Sequence, residues 1–376
     1  MNIKEFIKEN DELLFSLVKE LCLIPAPSGF EDKRGEFCKA WFTKNGISGA
    51  YIDSAKNVIV PYKVKKDSKL TVFVAHTDTV FPDREPMPYL DDGEYIHCPG
   101  VGDDTANLAV LMLVAKYFFE NDIDTEGVLF VANSSEEGLG NLRGTRQLWR
   151  DFGDRIESFV SFDNFSLDGA VDGCVGSHRY ELTLKTEGGH SWENFGNKSA
   201  IAELSRIVNA IYSIELPKKA GRKVSFNVGI IEGGTSVNTI AEEAKLLCEY
   251  RADDLWLLDF MKSKFEEIFN ESAGREGVSL SVNMVGERPC AGFVDPEKME
   301  KMREILRLAV KKVIGKDVSF HSGSTDCNIP MSYGIPAICI ATCESYGPHK
   351  REEKLKKSSL IPGLEIALLA SIEYAK

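Results

Sequence analysis

The chain has 376 residues, 43% hydrophobic and 27% charged, which suits a globular protein with a real core and, at ~100–200 residues per domain, two or three domains. Fifty-eight acidic residues against 45 basic ones give a net charge of −13; this disfavours nucleic acid, whose phosphates need a basic face, and gives no reason to expect an anionic membrane as partner. Nine cysteines without a CxxC pair fit reduced thiols in a cytoplasmic protein better than a disulfide framework or a zinc knuckle.

In chain order, the first segment places Ile3, Phe6, Ile7, Leu13, Leu14, Leu17, Val18 and Leu21 at helical spacing, and Pro25 and Pro27 stop the helix. Its acidic residues argue against a signal peptide, and no stretch of the chain reaches the ~18 apolar residues of a membrane span. LTVFVA (70–75), GVLFVA (127–132), SFVSF (158–162) and AICIA (337–341) are nearly continuous apolar runs, the pattern of strands buried on both faces of a parallel sheet. Helices are expected at 105–120, near 143–150 and at about 361–374. The middle of the chain alternates instead. YELTLKT (180–186), VSFNVGI (224–230) and VSLSVNMV (278–285) each have one wet and one dry face. With KLLCEYR (245–251) and helices near 198–214 and 255–272, the order is β-α-β-β-α-β, a ferredoxin-like unit with both helices on one side.

Chemistry in an open α/β sheet collects beyond the carboxyl ends of the parallel strands. There the sequence sets His76-Thr77-Asp78 after the first apolar run, Glu136-Glu137 after the second, Asp163 after the third and His349 after the fourth. Asp103 and Asp104 precede the 105–120 helix. Imidazole and carboxylate donors without thiolates suit a catalytic zinc-type site, and a shared carboxylate suits two metals ~3.5–4 Å apart. In HTD, residues i and i+2 point the same way, so Asp78 can accept the second ring N–H of a metal-binding His76. Two cations also account for adjacent glutamates at a core strand end: one ligates while the other faces water as a general base. His97 and His178 read as structural or surface residues. His321 and Asp326, in the Gly/Ser-rich SFHSGSTD loop, are candidates to line the site.

Taken together, HTDTV, GVGDDTAN, SSEEGLG, SFDN, GGHSWENFG, GGTSVNTIA with EYRADD, GSTD and PHKREE resemble, in kind and order, the M20 family of di-zinc peptidases and deacylases, within it the peptidase T-like branch. The resemblance implies a discontinuous catalytic domain (1–176 and 288–376), α/β with a mostly parallel sheet and helices on both faces, and an inserted ferredoxin-like lid and dimerisation domain (177–287). It implies two divalent ions, zinc foremost with cobalt or manganese as alternatives, held by His76, Asp103, Glu137, Asp163 and His349. Asp103 fits the register of the bridging ligand, with Asp104 beside it as the alternative. Asp78 would orient His76, and Glu136 would be the general base. His190 would steady the tetrahedral intermediate in a neighbouring subunit, making a homodimer through the lid, while Asn238 and Arg251 would contact a substrate carboxylate. Two departures stand out: the paired aspartates are followed by Thr105 and Ala106 where the branch usually has lysine and a small residue, and His349 is followed by Lys350, not glycine.

The expected activity is hydrolysis of an amide bond in small peptides, as by an aminopeptidase acting on tripeptides; an N-acyl-amino-acid deacylase and an inactive metal-binding relative are the alternatives. A dinucleotide enzyme is disfavoured because GVGDDTAN lacks the third glycine of GxGxxG, and neither a P-loop nor a GxSxG elbow occurs.

Overall fold

The computed structural model describes residues 1–376, which divide into two compact units, Met1–Cys174 with Ala291–Lys376 and Val175–Cys290. The elements of the chain are, in order, α1 (Ile3–Cys22), α2 (Asp32–Lys44), β1 (Tyr51–Ile52), β2 (Val58–Tyr62), β3 (Leu70–His76), β4 (Leu90–Asp91), β5 (Tyr95–His97), α3 (Ala106–Glu120), β6 (Val128–Asn133), α4 (Arg143–Phe152), β7 (Ile156–Asn164) and β8 (Gly169–Cys174). The second unit contributes β9 (Gly176–Lys185), β10 (Gly189–His190), α5 (Ala200–Tyr212), β11 (Val224–Gly233), β12 (Thr239–Ile240), β13 (Glu243–Ala252), α6 (Leu255–Ala273) and β14 (Ser279–Arg288). The first then resumes with α7 (Pro296–Ile314), β15 (Ser319–Gly323), α8 (Asn328–Ser332), β16 (Ala337–Ala341), β17 (Ser345–Tyr346), β18 (Lys354–Lys356) and α9 (Leu360–Tyr374).

The four apolar runs form the parallel centre, β6-β3-β7-β16, of an eight-stranded sheet of order β1-β2-β6-β3-β7-β16-β8-β15. Antiparallel pairings join β2 to β6 and β8 to β16. Successive side chains of a strand point to opposite faces. Phe73 and Ala75 of β3 therefore enter the core built with α1, α3 and α9, while Val72 and Val74 enter the one that holds Leu148 of α4 and Met331 of α8. Phe73 stacks on Phe130 of the neighbouring strand with ring centroids 5.5 Å apart. The first unit is thus a mixed α/β sheet, mostly parallel and covered on both faces.

A second, four-stranded sheet of order β17-β18-β5-β4 lies in the same unit. It sets the β17–β18 hairpin beside the segment that leaves β5. SFHSG, which reads as loop, is instead β15, paired parallel with β8. As an edge strand it needs backbone bonds from one neighbour only, so its polar side chains stay in water.

The second unit is a four-stranded antiparallel sheet, order β11-β13-β9-β14. Tyr180, Leu182 and Leu184 of β9 and Leu246, Cys248 and Tyr250 of β13 share one core with α5 and α6, so both helices cover the same face. No helix of the chain is long and apolar enough to cross a membrane.

Candidate metal centre

The parallel strands β3, β6 and β7 deliver His76, the Glu136–Glu137 turn and Asp163 to one edge of the sheet. His76 ends β3 with its ring almost fully buried. Its Nδ1 faces the Asp78 carbonyl at 3.0 Å and the Asp78 carboxylate at 3.4 Å. Its Nε2 lies 3.1 Å from Asp103 Oδ1 and 3.8 Å from Asp163 Oδ1. The other Asp103 oxygen is 3.1 Å from His349 Nε2, which also stands 3.2 Å from Glu137 Oε1. Asp103 thus lies between two groups of donors, His76–Asp103–Asp163 and Asp103–Glu137–His349, each with its ligand atoms within 4.8 Å of one another. Asp104 is engaged elsewhere: its oxygens accept from the His76 amide at 2.8 Å and from Asn107 Nδ2 at 2.7 Å.

Asp78 ties the two sides together. Its carboxylate accepts the Glu136 and Glu137 amides at 2.9 and 3.0 Å and the Ser28 hydroxyl at 2.6 Å. Ser135, just before the glutamates, takes the left-handed conformation at φ 53°, turning the chain out of the strand direction. The Ser135 hydroxyl donates to Glu31 at 2.6 Å and accepts from Arg143 at 2.9 Å, which holds that turn.

His349 stands on the loop between β17 and β18, itself left-handed at φ 63°. Four residues on, buried Glu353 accepts the amides of Gly100 at 2.7 Å, Gly102 at 2.7 Å and Asp103 at 3.0 Å. One carboxylate therefore fixes the backbone that carries Asp103. Glu353→Ala leaves three amides without it and is expected to weaken divalent-metal affinity by about 10–100-fold, measured by calorimetric titration. An unchanged affinity would show that the Asp103 loop holds its shape alone.

The electrostatics describe a site short of positive charge. Asp78, Asp103, Asp104, Asp163, Glu136 and Glu137 are all buried in one region with two imidazoles. Burial drives the Asp104 and Asp163 carboxyls well above the ordinary range, and neighbouring acids add to it. Burial and Asp103 bring Glu137 up to about 7. Asp103 goes the other way: burial opposes its charge, but hydrogen bonds from His349 and His76 hold it down. His349 is raised to about 10 by Asp103 and Glu137. Oxygen and imidazole donors that cannot all ionise together are a donor set for divalent cations, so these residues fit a metal centre.

The remaining expected site residues lie in the second unit. The His190 Nδ1 accepts the Trp192 and Glu193 amides, both at 3.3 Å, leaving Nε2 on the exposed side chain as the donor. Asn238 is its neighbour through β10–β12 pairing, its carbonyl accepting the Ser191 amide at 3.0 Å. Arg251 sits on the wet face of β13, paired through two nitrogens with Glu249 at 2.7 and 3.0 Å.

His321 is exposed on β15, whereas Asp326 is fully buried, accepting from Asn133 at 2.6 Å and Thr145 at 2.5 Å, with burial and Glu136 bringing it to about 7. Residues that the sequence did not single out also support the site: Ser28, Glu31, Asn107, Glu353 and Arg34. Buried Arg34 donates to the carbonyls of Leu21, Ile24 and Thr77, the last lying between His76 and Asp78. Ser28 and Glu31 stand in the Gly/Pro-bounded PSGFE and Asn107 heads an apolar helix, while Arg34 and Glu353 lie within charged runs; none has the spacing of a ligand motif.

The protein YqjE of Bacillus subtilis is 25% identical over 391 residues, spanning 98% of this chain and all of its own length. The aminopeptidase PepT of Bacillus cereus superposes with a TM-score of 0.75 at 22% identity, over 98% of this chain and 99% of that one. A tripeptidase of Staphylococcus aureus superposes with a TM-score of 0.77 at 21% identity, over 97% and 99%. At such identities the likeness concerns the fold. Residues 72–371, which contain every strand end of the metal centre, match the sequence pattern of peptidase family M20/M25/M40, and the chain belongs to that family.

Proposed function

We propose that the chain is a metal-dependent hydrolase that cleaves the amide bond of small peptides, acting as an aminopeptidase on tripeptides. The observation that carries this reading is Asp103 lying between two groups of ligand atoms, one with His76 and one with His349. His76, Asp103 and Asp163 would hold one divalent ion, and Asp103, Glu137 and His349 a second, zinc being the metal proposed for both. Such a pair supplies Lewis acidity toward a carbonyl and lowers the pKa of bound water.

Glu136, buried beside these ligands, takes a proton from the attacking water on its carboxylate and returns it to the leaving nitrogen. Asp78 keeps the Nε2 of His76 turned toward Asp103 and Asp163 and fixes the backbone of both glutamates. In the second unit, proposed as a lid, His190 would donate through Nε2 to the oxyanion developing in the active site of a neighbouring subunit, while Asn238 and Arg251 would bind the substrate carboxylate, Arg251 exchanging Glu249 for it. Exposed Ile230 and Ile231 on edge strand β11 support pairing with a second copy through this unit. The likeness to a tripeptidase of Staphylococcus aureus supports peptides as substrates.

Elemental analysis, with turnover of a tripeptide panel before and after chelation, tests the reading. The expected result is about two divalent ions per chain and cleavage that a chelator removes and added zinc restores. Turnover insensitive to chelation would overturn the metal-dependent mechanism. Cleavage of acetylated amino acids in place of tripeptides would replace the peptidase by a deacylase.

A further inference from the structure

A concavity of about 340 Å³ opens directly beside Glu137 and the mouth of the metal centre, within the first unit. Its walls are Pro27, Phe30, Val80, Phe81, Pro82 and Leu139. Three of these large apolar side chains face solvent: Phe30 is 51% exposed, Val80 37% and Leu139 64%. Scattered surface hydrophobics need no explanation, but several converging on one hollow next to polar chemistry mark a ligand surface. The hollow is also braced. Arg84 lays its guanidinium over the Phe30 ring, 3.9 Å from the centroid. Asp83, between Pro82 and Arg84, bonds Arg351 of the His349 loop at 2.7 Å, and Arg351 lies over the Phe81 ring at 4.9 Å. The loop that carries His349 is therefore tied to one wall.

We propose that this hollow is the specificity pocket for an uncharged apolar side chain, leucine- or phenylalanine-sized, on the residue that supplies the scissile carbonyl. The inference rests on the proposed peptidase reading and names its substrate class. Connectivity selects the acyl side: from the carbonyl carbon, the Cβ of its own residue is closer by one bond than the Cβ of the residue carrying the leaving nitrogen. Apolar walls reward each buried methylene, and the one carboxylate of the lining, Glu137, is the proposed metal ligand and already faces His349, which leaves a cationic side chain without a free partner. Arg84, the cation at the rim, disfavours lysine and arginine further.

The test compares the metal-loaded protein with Leu139→Ala and Val80→Ser on tripeptides X-Gly-Gly, X being glycine, leucine, phenylalanine or lysine, together with calorimetric binding of free L-leucine and glycine. A kcat/KM at least about tenfold higher for leucine and phenylalanine than for glycine and lysine, with the leucine-to-glycine ratio falling several-fold in either variant, supports the pocket. Turnover with equal kcat/KM for all four overturns the pocket and leaves the peptidase reading standing. No turnover, but L-leucine binding that exceeds glycine and weakens in the variants, keeps the pocket and overturns the peptidase reading. Neither turnover nor selective binding overturns both.

Discussion

Replacing Glu136 with alanine is expected to lower kcat by about 10³-fold or more while leaving bound metal near its original content. The expectation follows from how the adjacent glutamates differ. The Glu137 carboxylate is 3.2 Å from His349 Nε2 and groups with Asp103 and His349 as well as with His76, whereas the Glu136 carboxylate groups only with His76 and Glu137. Both backbones hang from the same Asp78 carboxylate, so truncating one side chain leaves the other's anchor in place. Glu136→Gln keeps the volume and removes only the ability to carry a proton; it should be almost as inactive. Elemental analysis beside steady-state kinetics decides the matter. If Glu136→Ala loses metal in proportion to activity and Glu137→Ala does not, the two roles are reversed.

The second large effect is expected at Asp78, although it ligates nothing in this assignment. Asp78→Ala removes the acceptor for two backbone amides and the Ser28 hydroxyl, together with the negative charge 3.4 Å from His76 Nδ1, while the Asp78 carbonyl at 3.0 Å stays as partner of that nitrogen; the residue has no accessible surface. Each buried donor left unpaired costs about 1–3 kcal/mol. Metal affinity should fall about 10–100-fold, as for other groups that orient a metal-binding histidine, and apo-protein unfolding by denaturant should show a loss of several kcal/mol. The combined readout is diagnostic. A role confined to steering His76 would lower affinity and spare the stability of the metal-free protein; a loss of stability without loss of affinity would make Asp78 a scaffold for the glutamate turn only.

Much of this architecture was legible because the parallel sheet writes itself as continuous apolar runs. LTVFVA, GVLFVA, SFVSF and AICIA are the four central strands, and the polar residues that follow them gather at one edge. The alternation in YELTLKT likewise appears as β9, with one face in the core of the second unit, whereas in VSLSVNMV Val282 and Met284 of β14 stay exposed. The rest was less legible for physical reasons. β15 carries SFHSG because backbone pairing to β8 asks nothing of its side chains. Glu353 lies within PHKREE but gives no hint that it reaches back across the chain to three amides near Gly100, a contact set by the pairing of β18 with β5. Arg34 sits in the helix DKRGEFCKAWFTK among charges that read as solvated surface, yet it is buried because the carbonyls of Leu21, Ile24 and Thr77 converge on it. Periodicity reports burial along one element; it cannot report which distant backbone will need a partner.

The placement of β16 bears on how the protein comes to exist in a cell. In the finished sheet β7 is flanked by β3 and β16, yet the whole second unit is encoded between β7 and β16. During synthesis, which proceeds from the amino terminus, the ribosome releases β7 with one side satisfied and the other bare until more than a hundred further residues have emerged. A long apolar strand with an open hydrogen-bonding edge is an invitation to pair with the wrong chain. His349 arrives later still, so an incomplete chain holds an exposed sheet edge but not a complete pair of ligand groups. The nascent protein is accordingly sticky before it can be hydrolytic, and its yield in a cell should depend more on what shields that edge than on the supply of metal.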